Sequence, residues 1–154
     1  VYPVNYNSPG QLVVAGEKEE LAEFSAAAAQ KGGRVVTLAV SGGFHSPFMD
    51  EAAQQLSRYL QAIPFEKPRI PLYANATAKP YPADGRSLAA EQVNHPVLWQ
   101  DTVEQMLSDG IEIFIEVGAG KTLSGLVKKI SRMATVLHVE DKKSLQETLA
   151  ALQK

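Results

Sequence analysis

The chain has 154 residues, 45% of them hydrophobic and 21% charged, enough to bury a core of one domain's size. Fifteen basic and seventeen acidic residues give a formal charge of -2 with no long run of either sign, which argues against a nucleic-acid surface. No cysteine is present, which excludes disulfides, a thiolate nucleophile and a cysteine-based zinc site; with no run of membrane-spanning length and no opening signal peptide, the expected location is the cytoplasm.

Val1 opens the chain with no initiator Met and no element leading in, so the sequence reads as the interior of something longer. Val1 to Val4 and Leu12 to Ala15, joined by the polar connection Asn5-Tyr6-Asn7-Ser8-Pro9-Gly10-Gln11, are expected to be adjacent antiparallel strands. Glu17 to Gln30 has Leu21, Phe24 and Ala28 at helical spacing, acidic residues in its first turn and a stop at Gly32-Gly33. Val35 to Val40 is expected to be a strand that breaks on Gly42-Gly43, a glycine pair that would loosen the loop carrying His45. Ser46-Pro47 then starts a helix with Phe48, Ala52, Leu56, Tyr59, Leu60 and Ile63 along one face, ending before Pro64. Ile70 to Ala74 reads as a short strand, residues 78–87 as loop, and Ser87 to Val93 as a short helix. Asn94-His95-Pro96 launches a helix from Val97 to Leu107 with Val103, Met106 and Leu107 inward, closed by Gly110. Ile111 to Val117 is a nearly continuous apolar strand, the pattern of a strand covered on both faces. A helix over Leu123 to Ser131, a strand over Thr135 to Val139 and a helix over Ser144 to Leu152 complete an alternation that implies a parallel, doubly covered sheet.

Among the residues that could carry chemistry, His45 stands out, because a strand end followed by Gly-Gly leaves the next side chains at the rim of a sheet. It reads equally as a general base and as a residue that caps a turn. Gly118-Ala119-Gly120-Lys121-Thr122 invites comparison with phosphate loops, but the full spacing needs glycine where Ile115 stands, and a dinucleotide fingerprint needs glycine in place of Leu123. A tight strand-to-helix turn is the better reading. His95 and His138 have no ligand spacing with His45, so no metal is expected, and Glu116, Glu140 and Asp141 lie near strand ends without pairing as acid and base. Ser41 is not in a nucleophile elbow, since the position two before it is Ala39. The residues thus offer a base with no visible nucleophile.

Four blocks add to this. Asn5 to Gln11 with Val13-Val14-Ala15-Gly16, Val40-Ser41-Gly42-Gly43-Phe44-His45-Ser46, Gln92-Val93-Asn94-His95-Pro96-Val97-Leu98-Trp99, and Glu116-Val117-Gly118-Ala119-Gly120-Lys121-Thr122-Leu123-Ser124-Gly125-Leu126 occur in order over nearly the whole chain. Together they resemble the C-terminal half of the bacterial malonyl-CoA:acyl carrier protein transacylases. The resemblance implies an α/β chain: residues 1–40 as part of a ferredoxin-like small subdomain, and 41–154 as the C-terminal part of an α/β-hydrolase-like acyltransferase core. It implies transfer of malonyl from malonyl-CoA to the phosphopantetheine thiol of acyl carrier protein through an acyl-serine, in fatty acid biosynthesis, with no cofactor beyond these substrates.

By the same resemblance His45 is the general base, and the main-chain carbonyl of Gln92 orients its imidazole, so loss of the Gln92 side chain should matter less than loss of His45. Asn5 and Asn7 would line the pocket, and Phe44 would restrict the acyl unit to malonyl over methylmalonyl. The family's Gly-Gln-Gly segment, its serine elbow and the arginine for the malonyl carboxylate have no counterpart in these residues. The chain is therefore expected to be a fragment, inactive alone, with acyl carrier protein, a coenzyme A thioester and the missing N-terminal half as partners, and neither nucleic acid nor membrane. Two alternatives remain: a non-catalytic carrier-protein-binding module using Lys121, Lys128, Lys129 and Arg132, and an acyl-thioester hydrolase.

Overall fold

Gly10, with a φ of 76° that glycine adopts at no steric cost, turns Tyr2–Ser8 (β1) back onto Gln11–Ala15 (β2) as an antiparallel ribbon. The computed structural model describes residues 1–153. β1 runs through Asn5 to Ser8, which the sequence suggests as a connection, because its second edge is also paired. Tyr6 N–H donates to Val97 O at 2.9 Å, and Val97 N–H donates to Val4 O at 2.8 Å. A polar stretch with ladder bonds on both sides remains extended.

Lys18–Gln30 (α1) follows and buries no residue, so the expected inward stripe leaves Phe24 exposed. The expected strand over Val35 to Val40 is not formed. A strand needs a partner edge, none among the described residues supplies one, and Val36, Leu38 and Val40 stand open to solvent. Pro47–Met49 forms a 3-10 turn leading into Asp50–Leu60 (α2). Here too the expected face differs: the buried residue of α2 is Ala53, turned to Arg86–Glu91 (α3), whereas Phe48, Ala52 and Tyr59 are exposed.

Only Tyr73–Ala74 (β3) of the expected Ile70–Ala74 strand pairs, with Lys79–Pro80 (β4) in the region expected as loop. Pro71 has no N–H for a ladder, so pairing begins beyond it. Trp99–Ser108 (α4) starts two residues later than expected, because the backbone of Val97 is committed to β1. Val103 on α4 is fully buried, and with Val4, Leu126 and Val127 it forms a core where α4 and Thr122–Ile130 (α5) pack on β1.

Ile113–Val117 (β5) and Thr135–Val139 (β6) are parallel and connected through α5, in register from Ile113 opposite Thr135 to Val117 opposite Val139. Lys142–Leu152 (α6) packs on β6, its start fixed by a capping box in which Asp141 accepts from Ser144 N–H at 2.7 Å. The β5 strand is not covered on both faces: Phe114 and Glu116 are half-buried while Ile113, Ile115 and Val117 are exposed, Val117 to 79%. The described residues thus form three two-stranded sheets rather than one doubly covered parallel sheet. No helix among them is long and apolar enough to cross a membrane.

The open β5 face, the unpaired 35–40 segment and the exposed Ile70 and Leu72 leave many large apolar side chains open to water, as interaction surfaces do. The isolated chain is therefore expected to self-associate with concentration in sedimentation velocity and to bind a hydrophobic dye. A monodisperse monomer with no dye binding would contradict the exposed faces.

Candidate active site

His45 sits at the end of the loop that follows the unpaired segment, and its backbone is left-handed, with φ at 62°. For a side-chain-bearing residue that conformation costs on the order of 1–3 kcal/mol and persists only where its surroundings enforce it. Here two successive carbonyls beyond the C-terminal end of α3 enforce it. His45 N–H donates to Val93 O at 3.1 Å, and the imidazole Nδ1 lies 2.8 Å from Gln92 O. On the other side of the histidine, the buried Ser46 donates its hydroxyl to Gly43 O at 2.5 Å and accepts from Phe48 N–H at 3.3 Å. A Cβ on Gly43 would lie 2.6 Å from Phe48 Cδ2, so the missing side chain is what lets loop and ring approach.

A peptide carbonyl only accepts, so Nδ1 carries the proton and Nε2 presents its lone pair. Among the described residues no group is hydrogen-bonded to Nε2, and no serine hydroxyl faces it. The ring is thus held in one tautomer by a neutral acceptor, with Nε2 free of any hydrogen bond among the described residues.

The other expected site residues lie on different elements. Asn5 and Asn7 are half-buried on β1, and Asn5 pairs through its backbone with Val97, in the same stretch that supplies Gln92. The Tyr2 ring meets Phe48 edge-on at 5.7 Å, tying β1 to the turn after His45. Phe44 is half-exposed beside the histidine. His95 is turned away onto Glu91 O at 2.9 Å, and His138 lies 3.7 Å from Glu140. Two residues not singled out by the sequence reading also belong here. The Gln92 carboxamide accepts from Asn75 N–H at 3.0 Å and donates to Tyr81 OH. The available signal for Tyr81 is an aromatic residue set between Pro80 and Pro82 in a segment rich in breakers.

The glycine-rich turn from Gly118 to Thr122 has a different occupation from a phosphate loop. Glu116 accepts from Leu123 N–H at 3.1 Å and Ser124 N–H at 2.7 Å, and Glu140 accepts from Gly120 N–H at 2.9 Å. The N–H groups of Gly120, Leu123 and Ser124 around the start of α5 are therefore taken by the protein's own carboxylates. Ser124, with a further hydrogen bond from Leu123 N–H, holds the Glu116 carboxyl below the usual range.

Comparison with known proteins agrees with the fold and the order of these blocks. Residues 1–147 match the acyl transferase domain family. A polyketide biosynthesis malonyl CoA-acyl carrier protein transacylase of Bacillus velezensis is 40% identical over 131 residues, covering 82% of this chain and 45% of the relative. A malonyl CoA-acyl carrier protein transacylase from Clostridium perfringens superposes with a TM-score of 0.94 at 40% identity, covering 98% of this chain and 48% of that one. A type II polyketide malonyl-transacylase solved in complex with its acyl carrier protein superposes with a TM-score of 0.92 at 36% identity, covering 97% of this chain and 49% of that one. The chain thus spans about half the length of these relatives.

Two substitutions test the local architecture. Gly43→Ala forces the Phe48 ring away and is expected to cost about 1–3 kcal/mol in urea unfolding, as overpacking does. Glu116 has a lowered pKa in the folded state, so its stabilisation is present above the unfolded pKa and is lost as the pH falls through the folded one. Wild type should therefore melt above Glu116→Gln at neutral pH, and the gap should close on acidification.

Proposed function

The chain belongs to the acyl transferase domain family, and on that premise we propose that it supplies the histidine half of a malonyl-CoA:acyl carrier protein transacylase. The observation that carries the proposal is the 2.8 Å approach of His45 Nδ1 to the Gln92 carbonyl, which leaves Nε2 free as a base. In this reading a serine on the remaining half of the relatives' length attacks the thioester carbonyl of malonyl-CoA while Nε2 takes its proton. Collapse of the tetrahedral intermediate expels coenzyme A, whose sulfur receives that proton from the imidazolium, leaving malonyl-serine. The phosphopantetheine thiol of acyl carrier protein then gives its proton to Nε2 and attacks the ester. The serine oxygen leaves and is reprotonated by the imidazolium, and the malonyl thioester of the carrier is released.

A carbonyl orienter suits this sequence. It stabilises the imidazolium by its dipole without becoming a second proton acceptor. Asn5 and Asn7 would border the acyl pocket, and Phe44 beside the base would limit room for an α-methyl branch. Residues 1–40 would complete a ferredoxin-like small subdomain, and residues 41–154 the acyltransferase core. The oxyanion hole and the cation for the malonyl carboxylate would come with the serine.

Purified alone, the chain should transfer no malonyl from malonyl-CoA to acyl carrier protein, as read by carrier mass. Supplied with a segment bearing the serine elbow it should gain transfer, and His45→Ala should reduce that transfer by roughly 10²- to 10⁴-fold or more. Transfer by the chain alone that is abolished by His45→Ala, or complemented transfer indifferent to His45→Ala, would overturn the reading.

A further inference from the structure

The carbonyl that orients His45 belongs to a peptide at the end of a six-residue helix, too short to hold its own terminus. Gln92 follows α3 directly, and its carbonyl is one of the helix-end acceptors that no turn satisfies. What fixes it is the side chain of the same residue. Its Oε1 accepts from Asn75 N–H at 3.0 Å, just beyond β3, and its Nε2 donates to the Tyr81 hydroxyl, just beyond β4. The orientation of the amide is unambiguous, because the Asn75 N–H is a donor only. Asn75 in turn accepts from Leu98 N–H at 2.8 Å, one residue past the Val97 that pairs with β1. The segments just beyond β3 and β4 therefore meet on one carboxamide at the end of α3.

Tyr81 is itself immobilised. Its ring stacks on Phe65 at 6.5 Å and 25°, its N–H donates to Leu72 O at 2.7 Å, and a Cβ on Gly85 would collide with the Tyr81 ring and lie 3.0 Å from Phe65. Desolvation by burial raises the Tyr81 pKa, outweighing the lowering from its Gln92 hydrogen bond, so the hydroxyl stays protonated and neutral. Nothing about turning a loop requires a phenol oxygen at this place, since the stack and the backbone bond already hold the ring. The oxygen has a different task.

We infer that the Gln92 carboxamide and the Tyr81 hydroxyl are positioning groups for His45, together locking the peptide carbonyl that receives the imidazole Nδ1–H. The inference deepens the proposed function and rests on His45 acting as its base. It assigns Gln92 a part that its backbone oxygen alone does not account for.

Tyr81→Phe preserves the stack and removes the oxygen, whereas Gln92→Ala removes the amide and keeps the carbonyl. Gln92→Glu retains an acceptor for Asn75 N–H, and Tyr81 can reverse its hydroxyl and donate to the new carboxylate. The Gln92→Glu variant should therefore hold the carbonyl while Tyr81 is present and lose it when combined with Tyr81→Phe. The first readout is the imidazole nitrogen spectrum of the chain labelled at its three histidines, His45 being assigned by its absence in His45→Gln. Wild type should show a single Nδ1–H tautomer at His45. Tyr81→Phe and Gln92→Ala should each show a mixture of tautomers and faster exchange of Nδ1–H, with His95 and His138 unmoved.

In the complemented enzyme Tyr81→Phe should lower kcat about three- to tenfold with KM unchanged, the worth of one neutral hydrogen bond. A purely structural role would lower the melting temperature and leave the His45 tautomer intact, and that outcome overturns the inference. If Gln92→Ala does not fold, Tyr81→Phe and Gln92→Glu decide the matter by the same spectrum. Because the tautomer is read without turnover, failure of His45 as a base would be seen separately, as transfer indifferent to His45→Ala.

Discussion

An imidazole can serve as a base at only one nitrogen, and the other must be told which proton to keep. In this chain that instruction comes from the Gln92 peptide carbonyl, 2.8 Å from His45 Nδ1, and the rest of the site follows from where that carbonyl can be placed. A carboxylate in the same position would bring a full negative charge and a desolvation cost on burial. A carbonyl at a helix end brings a partial charge already oriented by the chain. The arrangement has a geometric penalty instead, because His45 must adopt a left-handed backbone to present both its N–H and its ring to successive carbonyls of Val93 and Gln92.

That penalty explains the density of the surrounding contacts. Ser46 is buried at the start of the 3-10 turn, Gly43 is pressed against Phe48, and Phe48 meets Tyr2 of β1. Each element that contributes to the site is short, and none would persist alone. They persist because β1, the stretch from Gln92 to Trp99 and the β3–β4 hairpin share backbone hydrogen bonds at Val97 and Asn75. The unformed strand at residues 35–40 and the open face of β5 lie outside this mutual support, and both leave apolar side chains in solvent.

The sequence was most legible where a feature depends on its own neighbours. The ribbon of β1 and β2, the strands over Ile113–Val117 and Thr135–Val139, and all six α-helices follow from local spacing, caps and glycine stops within a few residues. It was least legible where burial depends on distant partners. Val36, Leu38 and Val40 have the composition of a strand, and composition cannot report that no edge is available. Phe48, Ala52 and Tyr59 have the spacing of a core stripe, yet α2 turns Ala53 inward. At the site, His45 was conspicuous because a glycine pair precedes it. Tyr81 was not, because its partner is a side chain eleven residues away and Tyr81 itself falls in the stretch that reads as loop.

The glycine turn after β5 shows how the same fold logic can be diverted. In open α/β proteins the carboxyl ends of parallel strands and the helix starts that follow them are where anionic ligands are received. Here the two parallel strands end in Glu116 and, just past β6, Glu140, and these carboxylates occupy the N–H groups of Gly120, Leu123 and Ser124. Three donors of the turn are thereby occupied by the protein's own carboxylates. In the proposed function the chemistry would fall instead to the opposite polarity of the helix, the carbonyl end of α3, where a short helix exposes acceptors rather than donors. That polarity would suit a reaction whose transient charge on the protein is an imidazolium.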